Sequence, residues 1–183
     1  MNYPPEALAL KDGLTVTLRS PVEADAPVSL AYLKAIMGET DFLSSYADEI
    51  GGSLDTERAF IRGKLDDPRS LCVSAFDCCG AVVGDFDIHP VRPACRYAHR
   101  AELGISVRRD FWGLGLGSAL MAVMLREAKA LAYEQVELEV VAQNTRAIAL
   151  YEKFGFVKIG DLPHYYKYRD GSYADALRML RVL

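Results

Sequence analysis

The stretch "RRDFWGLGLGSALM" at residues 108–121 places Gly113, Gly115 and Gly117 directly before an apolar segment that has the pattern of a helix. Each glycine costs a helix about 1 kcal/mol relative to alanine, so this density of glycine indicates a loop that needs backbone freedom. The first N–H groups of a helix have no intrahelical partner and lie at the positive end of its dipole. Because glycine has no Cβ atom, a ligand can approach these groups closely. The stretch therefore predicts a loop that binds an anion such as a pyrophosphate.

Three kinds of anion-binding loop compete for this stretch. A Walker-type loop needs a lysine after the last glycine, whereas Ser118 and Ala119 follow here. A dinucleotide-binding loop has the spacing G-x-G-x-x-G near the start of the chain, whereas this G-x-G-x-G comes late. A coenzyme A pyrophosphate loop has the pattern R/Q-x-x-G-x-G/A, and residues 112–117 resemble it with Trp112 at the Arg or Gln position. On these residues alone, a turn that only lets strand and helix pack closely fits about as well.

A second pattern follows one helix and one strand later, in "NTRAIALYEKFGF" at residues 144–156. It has the form N-x-x-A-x-x-x-Y-x-x-x-G-F, with Asn144, Ala147, Tyr151, Gly155 and Phe156 at the fixed positions. Asn144 is a favourable helix N-cap and Gly155 a favourable residue just beyond a helix end, so capping explains part of the pattern. It does not explain Tyr151, because a buried phenol needs a partner for its hydroxyl.

Together the two patterns resemble the signature of the GCN5-related N-acetyltransferase (GNAT) family, and most of residues 13–182 is similar to its order of elements. The resemblance implies an α/β (α+β) fold: a mixed, mostly antiparallel twisted sheet flanked by about four helices, with a central splay that holds acetyl-CoA. Residues 39–43 and 56–61 resemble the substrate-side helices of the small-amine and protein N-terminal branches. The activity implied is transfer of an acetyl group from acetyl-CoA to a primary amine by direct attack.

The resemblance also assigns catalytic residues. Tyr151 is expected to protonate the leaving thiolate. An attacking amine must first lose a proton, since alkylammonium groups have a pKa near 10.4 and α-amino groups one near 8. Glu102 is the first candidate for the base, and Glu139, Glu137, His99 or a chain of waters are the alternatives. A solvent-exposed structural role for Glu102 fits the sequence about as well.

Coenzyme contacts follow from the same resemblance. The main chain of Ile105 and Val107 is expected to pair with the pantetheine arm as an added strand would. The predicted pyrophosphate contacts are the N–H groups of Gly113, Leu114, Gly115, Leu116, Gly117 and Ser118. Asn144 and Tyr151 complete the predicted coenzyme-binding set, and Arg108 and Arg109 are candidates for the adenosine phosphate.

The acceptor is expected to be a small-molecule amine or a peptide N-terminus. Its pocket is predicted in residues 32–46 and 160–170, where the aromatic candidates are Tyr32, Phe42, Tyr46, Tyr165 and Tyr166. The sequence does not identify the acceptor or the preferred acyl chain. The alternative function is a non-catalytic acyl-CoA-binding module of the same fold, and a nucleotide-phosphate-binding protein is a third, which lacks the lysine it needs.

Periodicity predicts a single domain over residues 1–183, with the order strand, two helices, two strands, strand, helix, strand, helix and two strands. The first strand is expected at residues 14–20, and the segment before it is given no strand. A hairpin turn is expected at Cys79-Gly80 and another turn at residues 169–172. The glycine loop is expected to lead into a helix that ends at about Tyr133.

Composition limits the partners and the location. The formal net charge of −4 gives no support to a nucleic-acid partner, which would favour a basic face. There is no apolar run near the roughly 20 residues of a membrane span, and the N-terminus lacks the pattern of a signal peptide, so a cytoplasmic protein without membrane partners is expected. The four cysteines lack zinc-ligand spacing, which predicts reduced thiols and no metal site. A homodimer through the last strands is left open.

Overall fold

The structure is a computed structural model that describes residues 1–50, 52–92 and 95–183. Within these ranges the strands are β1 (Glu6–Ala9), β2 (Thr15–Arg19), β3 (Leu71–Phe76), β4 (Val82–Pro90), β5 (Arg100–Val107), β6 (Gln135–Val141), β7 (Val157–Lys167) and β8 (Tyr173–Val182). The α-helices are α1 (Ala26–Glu39), α2 (Leu54–Asp66), α3 (Leu116–Ala130) and α4 (Thr145–Lys153). The strands form one sheet in the order β1-β2-β3-β4-β5-β6-β8-β7. Its registered pairings are antiparallel except for β5 with β6, so the predicted mixed, mostly antiparallel sheet with about four helices is confirmed.

The chain divides into two compact units. The first comprises Met1–His89 and Gly104–Met124, and the second comprises Pro90–Leu103 and Leu125–Leu183. Strand β5 and helix α3 contribute residues to both units. A single acetyltransferase domain over residues 1–183 stays a prediction.

Helices α1 and α2 of the first unit begin with the residues that local chemistry favours. Pro27 lies in the first turn of α1, where its missing N–H removes no intrahelical hydrogen bond. Ser53 caps α2, because its hydroxyl accepts a hydrogen bond from the N–H of Thr56 at 3.2 Å. The inner face of α1 packs on the sheet in an apolar cluster made of Tyr32, Ile36, Phe76 and Val82.

The strands of the first unit form a continuous antiparallel run from β1 to β4. Strand β3 is buried along its whole length, as its apolar sequence requires for a strand with neighbours on both edges. The hairpin turn predicted at Cys79-Gly80 is confirmed. Gly80 adopts a φ of +79°, and the N–H of Asp77 donates to the carbonyl of Ala81 at 2.9 Å.

Strand β1 corrects the expectation that residues before 14 hold no strand. It pairs with β2 from Glu6 opposite Leu18 to Ala9 opposite Thr15. Most of β1 is exposed, so no alternation of apolar and polar residues marks it in the sequence. Tyr3 anchors the segment before it, because this side chain is buried and its N–H donates to the Ser20 hydroxyl at 2.9 Å.

The second unit contains β6, β7 and β8 with the capped helix α4. Strands β7 and β8 meet at the predicted turn, where the N–H of Tyr168 donates to the carbonyl of Ser172 at 2.9 Å. The Asn144 side chain accepts from the N–H of Ala147 at 3.2 Å and so caps α4, as predicted. At the other end Gly155 has a φ of +79°, and its N–H donates to the carbonyl of Glu152. This left-handed end requires glycine and turns the chain into β7.

Among the described residues, no helix combines the length and apolar character needed to cross a bilayer. The same ranges contain no group of three or more His, Cys, Asp or Glu residues that could hold a metal ion. The four cysteines are free thiols, with Cys72 buried and the other three exposed.

Candidate active site

The glycine loop forms the entry to α3 in the first unit. Gly113 and Gly115 have φ values of +82° and +96°, in the left-handed region that favours glycine. The first intrahelical hydrogen bond runs from the N–H of Ala119 to the carbonyl of Gly115 at 3.0 Å. The N–H groups of residues 116–118 therefore precede the hydrogen-bonded part of the helix, at its positive end. This geometry is compatible with the predicted anion binding, and it explains why two of the three positions need glycine.

Trp112 connects the loop to β5. Its indole N–H donates to the carbonyl of Val107 at 2.7 Å, and the guanidinium of Arg109 lies 5.6 Å from its ring centroid. Trp112 therefore holds the start of the loop against the end of β5. This structural contact explains the tryptophan at the Arg or Gln position of the pattern.

The two edges of β5 differ in their hydrogen bonding near the loop. The N–H of Arg108 donates to the carbonyl of Val83 on β4 at 2.9 Å. Because backbone groups alternate between edges along a strand, Ile105 and Val107 present theirs on the edge opposite to Arg108. The Val107 carbonyl already accepts from Trp112, so the N–H of Val107 and both backbone groups of Ile105 are the better candidates for pantetheine.

The neighbouring arginines are engaged by the end of α1. The Arg108 Nε and the N–H of Arg109 both donate to the Glu39 carboxylate, and the Arg109 guanidinium also donates to the Glu39 carbonyl. These contacts hold the chain just before the loop. The contact of Arg108 and Arg109 with an adenosine phosphate stays a prediction.

A partly buried polar cluster lies beside the loop strand in the same unit. The Tyr32 hydroxyl on α1 is 3.2 Å from the Asp85 Oδ1 on β4 and 2.7 Å from the Ser106 Oγ on β5. The Ser106 hydroxyl also donates to the same Asp85 oxygen. Burial raises the pKa of the Asp85 carboxyl to about 6, although the hydrogen bond from Ser106 opposes this shift. Asp85 thus combines a fixed position with a pKa suited to proton transfer near neutral pH.

The pKa of Asp87, two residues along β4, is shifted in the opposite direction. Burial acts to raise the pKa of Asp87, but His89 at 3.0 Å and the Lys64 ammonium at 2.7 Å hold it below its usual range. Gly104 leaves room for this carboxylate, since a Cβ atom at that position would lie 2.8 Å from the Asp87 Oδ1. Two neighbouring acids with pKa values pushed apart are typical of acid–base sites.

From the sequence, Tyr32 is predicted only as an aromatic residue of the acceptor pocket, and Asp85 and Ser106 are not predicted as site residues. A signal was present: Asp85, Asp87 and His89 occupy every second position of β4 and alternate with buried Phe86 and Ile88. This alternation places three ionisable side chains on one face of the strand. The alternation could have indicated a functional face of β4, but it does not predict that α1 packs over this face.

The second unit contains Tyr151. Its ring is buried against Phe156, with the ring centroids 5.9 Å apart, and burial raises the pKa of the Tyr151 hydroxyl to about 12. Within the described residues, this hydroxyl makes no hydrogen bond. A phenol that stays protonated and has no protein partner suits the predicted role as a proton donor.

The candidate bases of the second unit have different surroundings. Glu102 lies at the end of the paired part of β5, where the parallel register with β6 runs from Arg100 opposite Gln135 to Glu102 opposite Glu137. Glu137 is fully buried and forms ion pairs with Arg100 at 2.6 Å and Arg178 at 3.0 Å. These pairs make Glu137 an anchor between strands and a poor base, because a proton would disrupt both.

The other predicted residues are distributed over both units. Glu139 accepts a hydrogen bond from the Tyr165 hydroxyl, and Tyr165 contacts Tyr166 edge-on with centroids 5.0 Å apart. In the first unit, Phe42 is exposed and the N–H of Tyr46 donates to Glu49 at 2.9 Å. The His99 carbonyl accepts from the N–H groups of residues 134 and 135, a structural role for its backbone.

Comparison with known proteins identifies the family. A sequence profile described as the acetyltransferase (GNAT) family matches residues 39–156. The L-amino acid N-acetyltransferase AaaT of Escherichia coli (strain K12) is 38% identical over 104 residues, which cover 56% of this chain and 63% of that protein. An N-alpha-acetyltransferase of Sulfurisphaera tokodaii is 36% identical over 72 residues, which cover 39% of this chain and 43% of that protein. The chain thus spans less than two thirds of the length of these two relatives.

Solved structures share the fold. An acetyltransferase of the GNAT family from Streptococcus pneumoniae superposes with a TM-score of 0.86 at 26% identity, covering 92% of this chain and 99% of that chain. A GNAT superfamily phosphinothricin acetyltransferase from Sinorhizobium meliloti, solved with acetyl-CoA, gives a TM-score of 0.80 at 23% identity over 92% of this chain and 88% of that one. The family profile covers more than half of the sequence and includes both patterns, at residues 112–117 and 144–156. On this evidence the chain belongs to the GNAT family of acetyltransferases.

Proposed function

We propose that this protein is an acetyl-CoA-dependent N-acetyltransferase that acts on a primary amine by direct attack. The observation that carries the proposal is the loop in which Gly113 and Gly115 adopt left-handed conformations directly before α3. Such a loop lets phosphate oxygens approach backbone N–H groups at the positive end of a helix. Membership of the GNAT family supports the choice of acetyl-CoA over other phosphate-bearing ligands.

The residues present fit the coenzyme. The pyrophosphate would be held by N–H groups of residues 113–118, and the pantetheine arm by backbone groups of Ile105 and Val107 on the edge of β5 opposite to Arg108. Asn144 remains a proposed coenzyme contact, although its side-chain oxygen already caps α4. Acetyl-CoA would supply the acetyl group on a thioester carbon that an amine can attack.

Tyr151 is proposed to donate the proton that the departing thiolate needs. With its pKa raised to about 12 by burial, the phenol stays protonated throughout the neutral range. Among the described residues, its hydroxyl donates a hydrogen bond to no acceptor. Tyr151 would therefore hold its proton until a negative charge develops near it.

For the base, two carboxylates compete. Glu102 is the residue that the family resemblance implies. Asp85 is the stronger candidate on geometry, since Tyr32 and Ser106 fix its Oδ1 atom and its pKa lies near 6. The Asp85 carboxylate would accept the proton of the incoming ammonium group, directly or through a water.

The class of acceptor follows from the same pKa argument. A carboxylate with a pKa of about 6 lies about 2 units below an α-amino group, but more than 4 units below an alkylammonium group. Deprotonation of an α-amino group is therefore the easier reaction for this site. The names of the E. coli and S. tokodaii relatives, which refer to L-amino acids and to N-alpha-acetylation, agree with an amino acid or a peptide N-terminus. A homodimer and a cytoplasmic location stay predictions.

A thiol-release assay with acetyl-CoA tests the proposed function. The acceptor panel contains free L-amino acids, short peptides with free N-termini, and a diamine as the alkylammonium control. We expect release of coenzyme A with at least one α-amino acceptor, and weaker or no release with the diamine at neutral pH. Coenzyme binding without thiol release for any acceptor would favour the alternative, a non-catalytic acyl-CoA-binding module.

The loop conformation gives a further prediction. Gly115→Ala places a side chain at a φ of +96°, so we expect a loss of about 1 kcal/mol in the free energy of unfolding and clearly weaker acetyl-CoA binding. The matched control is Gly171→Ala, which has a φ of +87° with nothing near its Cβ position, in the turn between β7 and β8. Both variants should lose similar stability by denaturant unfolding, but only Gly115→Ala should lose coenzyme affinity by calorimetry. Equal affinity in both variants would remove the loop from the coenzyme site.

A further inference from the structure

The turn between β1 and β2 lies directly against the glycine loop. The N–H of Lys11 in this turn donates to the carbonyl of Leu114 at 3.1 Å. The aliphatic stem of Lys11 lies beside Gly115, because a Cβ atom built on Gly115 would be 3.8 Å from both the Cγ and the Cε of Lys11. The hairpin of β1 and β2 thus places an exposed lysine beside the loop.

The positively charged side chains near this loop differ in their partners. Arg108 and Arg109 precede the loop. The Arg108 guanidinium forms an ion pair with the Glu39 carboxylate, and the Arg109 guanidinium donates to the Glu39 carbonyl. Trp112 carries no charge at the position where the family pattern has Arg or Gln, and its indole is bonded to Val107. Among the described residues Lys11 has no carboxylate partner. Lys11 therefore brings to this loop an ammonium group that no carboxylate of the described residues neutralises.

We propose that Lys11 is a coenzyme-binding residue whose ammonium group binds the pyrophosphate on the glycine loop; this inference rests on the proposed function. Backbone N–H groups supply only partial positive charges, whereas an ammonium group adds a full charge and up to three donors. Lys11 lies outside the sequence pattern of residues 112–117 and contributes the positive charge that Trp112 lacks.

Calorimetric titration of coenzyme A and of dephospho-coenzyme A into Lys11→Met, Lys11→Arg and the unchanged chain tests this inference. Methionine keeps an aliphatic stem against Gly115 and removes the charge. We expect Lys11→Met to bind both ligands about 10-fold more weakly, and Lys11→Arg to restore most of the affinity. The weakening should shrink at high salt, because a lost partly exposed charge contact matters less when charges are screened.

The controls separate this inference from the function on which it rests. Lys129→Met removes an exposed lysine in the last turn of α3 and should leave both affinities unchanged. Equal affinity of Lys11→Met and the unchanged chain would overturn the inference, and so would a loss confined to coenzyme A, which would place Lys11 at the 3′-phosphate. A melting temperature of Lys11→Met without ligand that matches the unchanged chain would show that the lost affinity does not come from unfolding. Absence of binding by the unchanged chain would instead contradict the proposed function.

Discussion

Tyr151→Phe is expected to lower kcat by about 100-fold or more while changing the acetyl-CoA dissociation constant by less than about 2-fold. The substitution removes only the hydroxyl, and the ring can keep its packing against Phe156. Because that hydroxyl has no hydrogen-bond partner in the described parts of the chain, its removal should not lower the melting temperature. Steady-state kinetics, calorimetry and thermal unfolding of the same preparation measure the three quantities.

Tyr133→Phe is the matched control, since Tyr133 is also a buried tyrosine. It removes the hydroxyl of a buried tyrosine outside the proposed site and should leave kcat close to that of the unchanged chain. If Tyr151→Phe kept full turnover, the phenol would be a packing residue and the proton donor would have to be sought elsewhere, for example in water.

Asp85→Asn is expected to lower kcat by about 100-fold at pH 7 and to remove the acidic limb of the pH–rate profile. A base works when deprotonated, so the rate of the unchanged chain should rise with pH and level off above about 6. The amide oxygen of asparagine can still accept from Tyr32 and Ser106, which keeps the geometry of the cluster. A profile of kcat/KM from pH 5 to 8 measures the change.

The same substitution should alter stability in a defined direction. The pKa of Asp85 rises from 3.8 to about 6 on folding, so the folded state binds this proton more tightly than the unfolded state. The unchanged chain therefore loses stability as the pH rises from about 4 to 6, by roughly 3 kcal/mol from this group alone. Asp85→Asn does not lose stability in this pH range and should be the more stable protein at pH 7. Denaturant unfolding at several pH values measures the difference.

Two further variants decide which carboxylate is the base. Asp87→Asn removes the negative charge that faces Lys64 and His89, so it should destabilise the protein but retain the acidic limb. If Glu102→Gln abolishes the limb and Asp85→Asn leaves it, the base is Glu102, as the family resemblance implies, and the assignment to Asp85 is wrong.

Features encoded by local backbone chemistry could be predicted from the sequence. Asn144 and Gly155 cap α4 as expected, and the hairpin turn at Cys79-Gly80 is confirmed, because each depends on a few neighbouring residues. The left-handed conformations of Gly113 and Gly115 agree with the backbone freedom inferred from glycine alone. The order of strands and helices from residue 14 onward follows from periodicity for the same reason.

Features that depend on distant parts of the chain could not be predicted. Strand β1 is mostly exposed and is defined by its pairing with β2, so its own residues carry little signal. The cluster around Asp85 joins α1, β4 and β5, and only their packing raises the pKa of that carboxyl. Lys11 likewise reaches the glycine loop through a hairpin that no local pattern indicates.

Titration calorimetry measures directly whether this chain binds acetyl-CoA, as we propose for its glycine loop. Acetyl-CoA titrated into the purified chain should bind at one site per chain with a dissociation constant between about 1 and 100 μM, and should raise the melting temperature. ATP at the same concentrations should give no binding, because the loop lacks the lysine of a Walker-type site. If millimolar acetyl-CoA gave neither binding heat nor a shift of the melting temperature, the proposed coenzyme binding would be wrong.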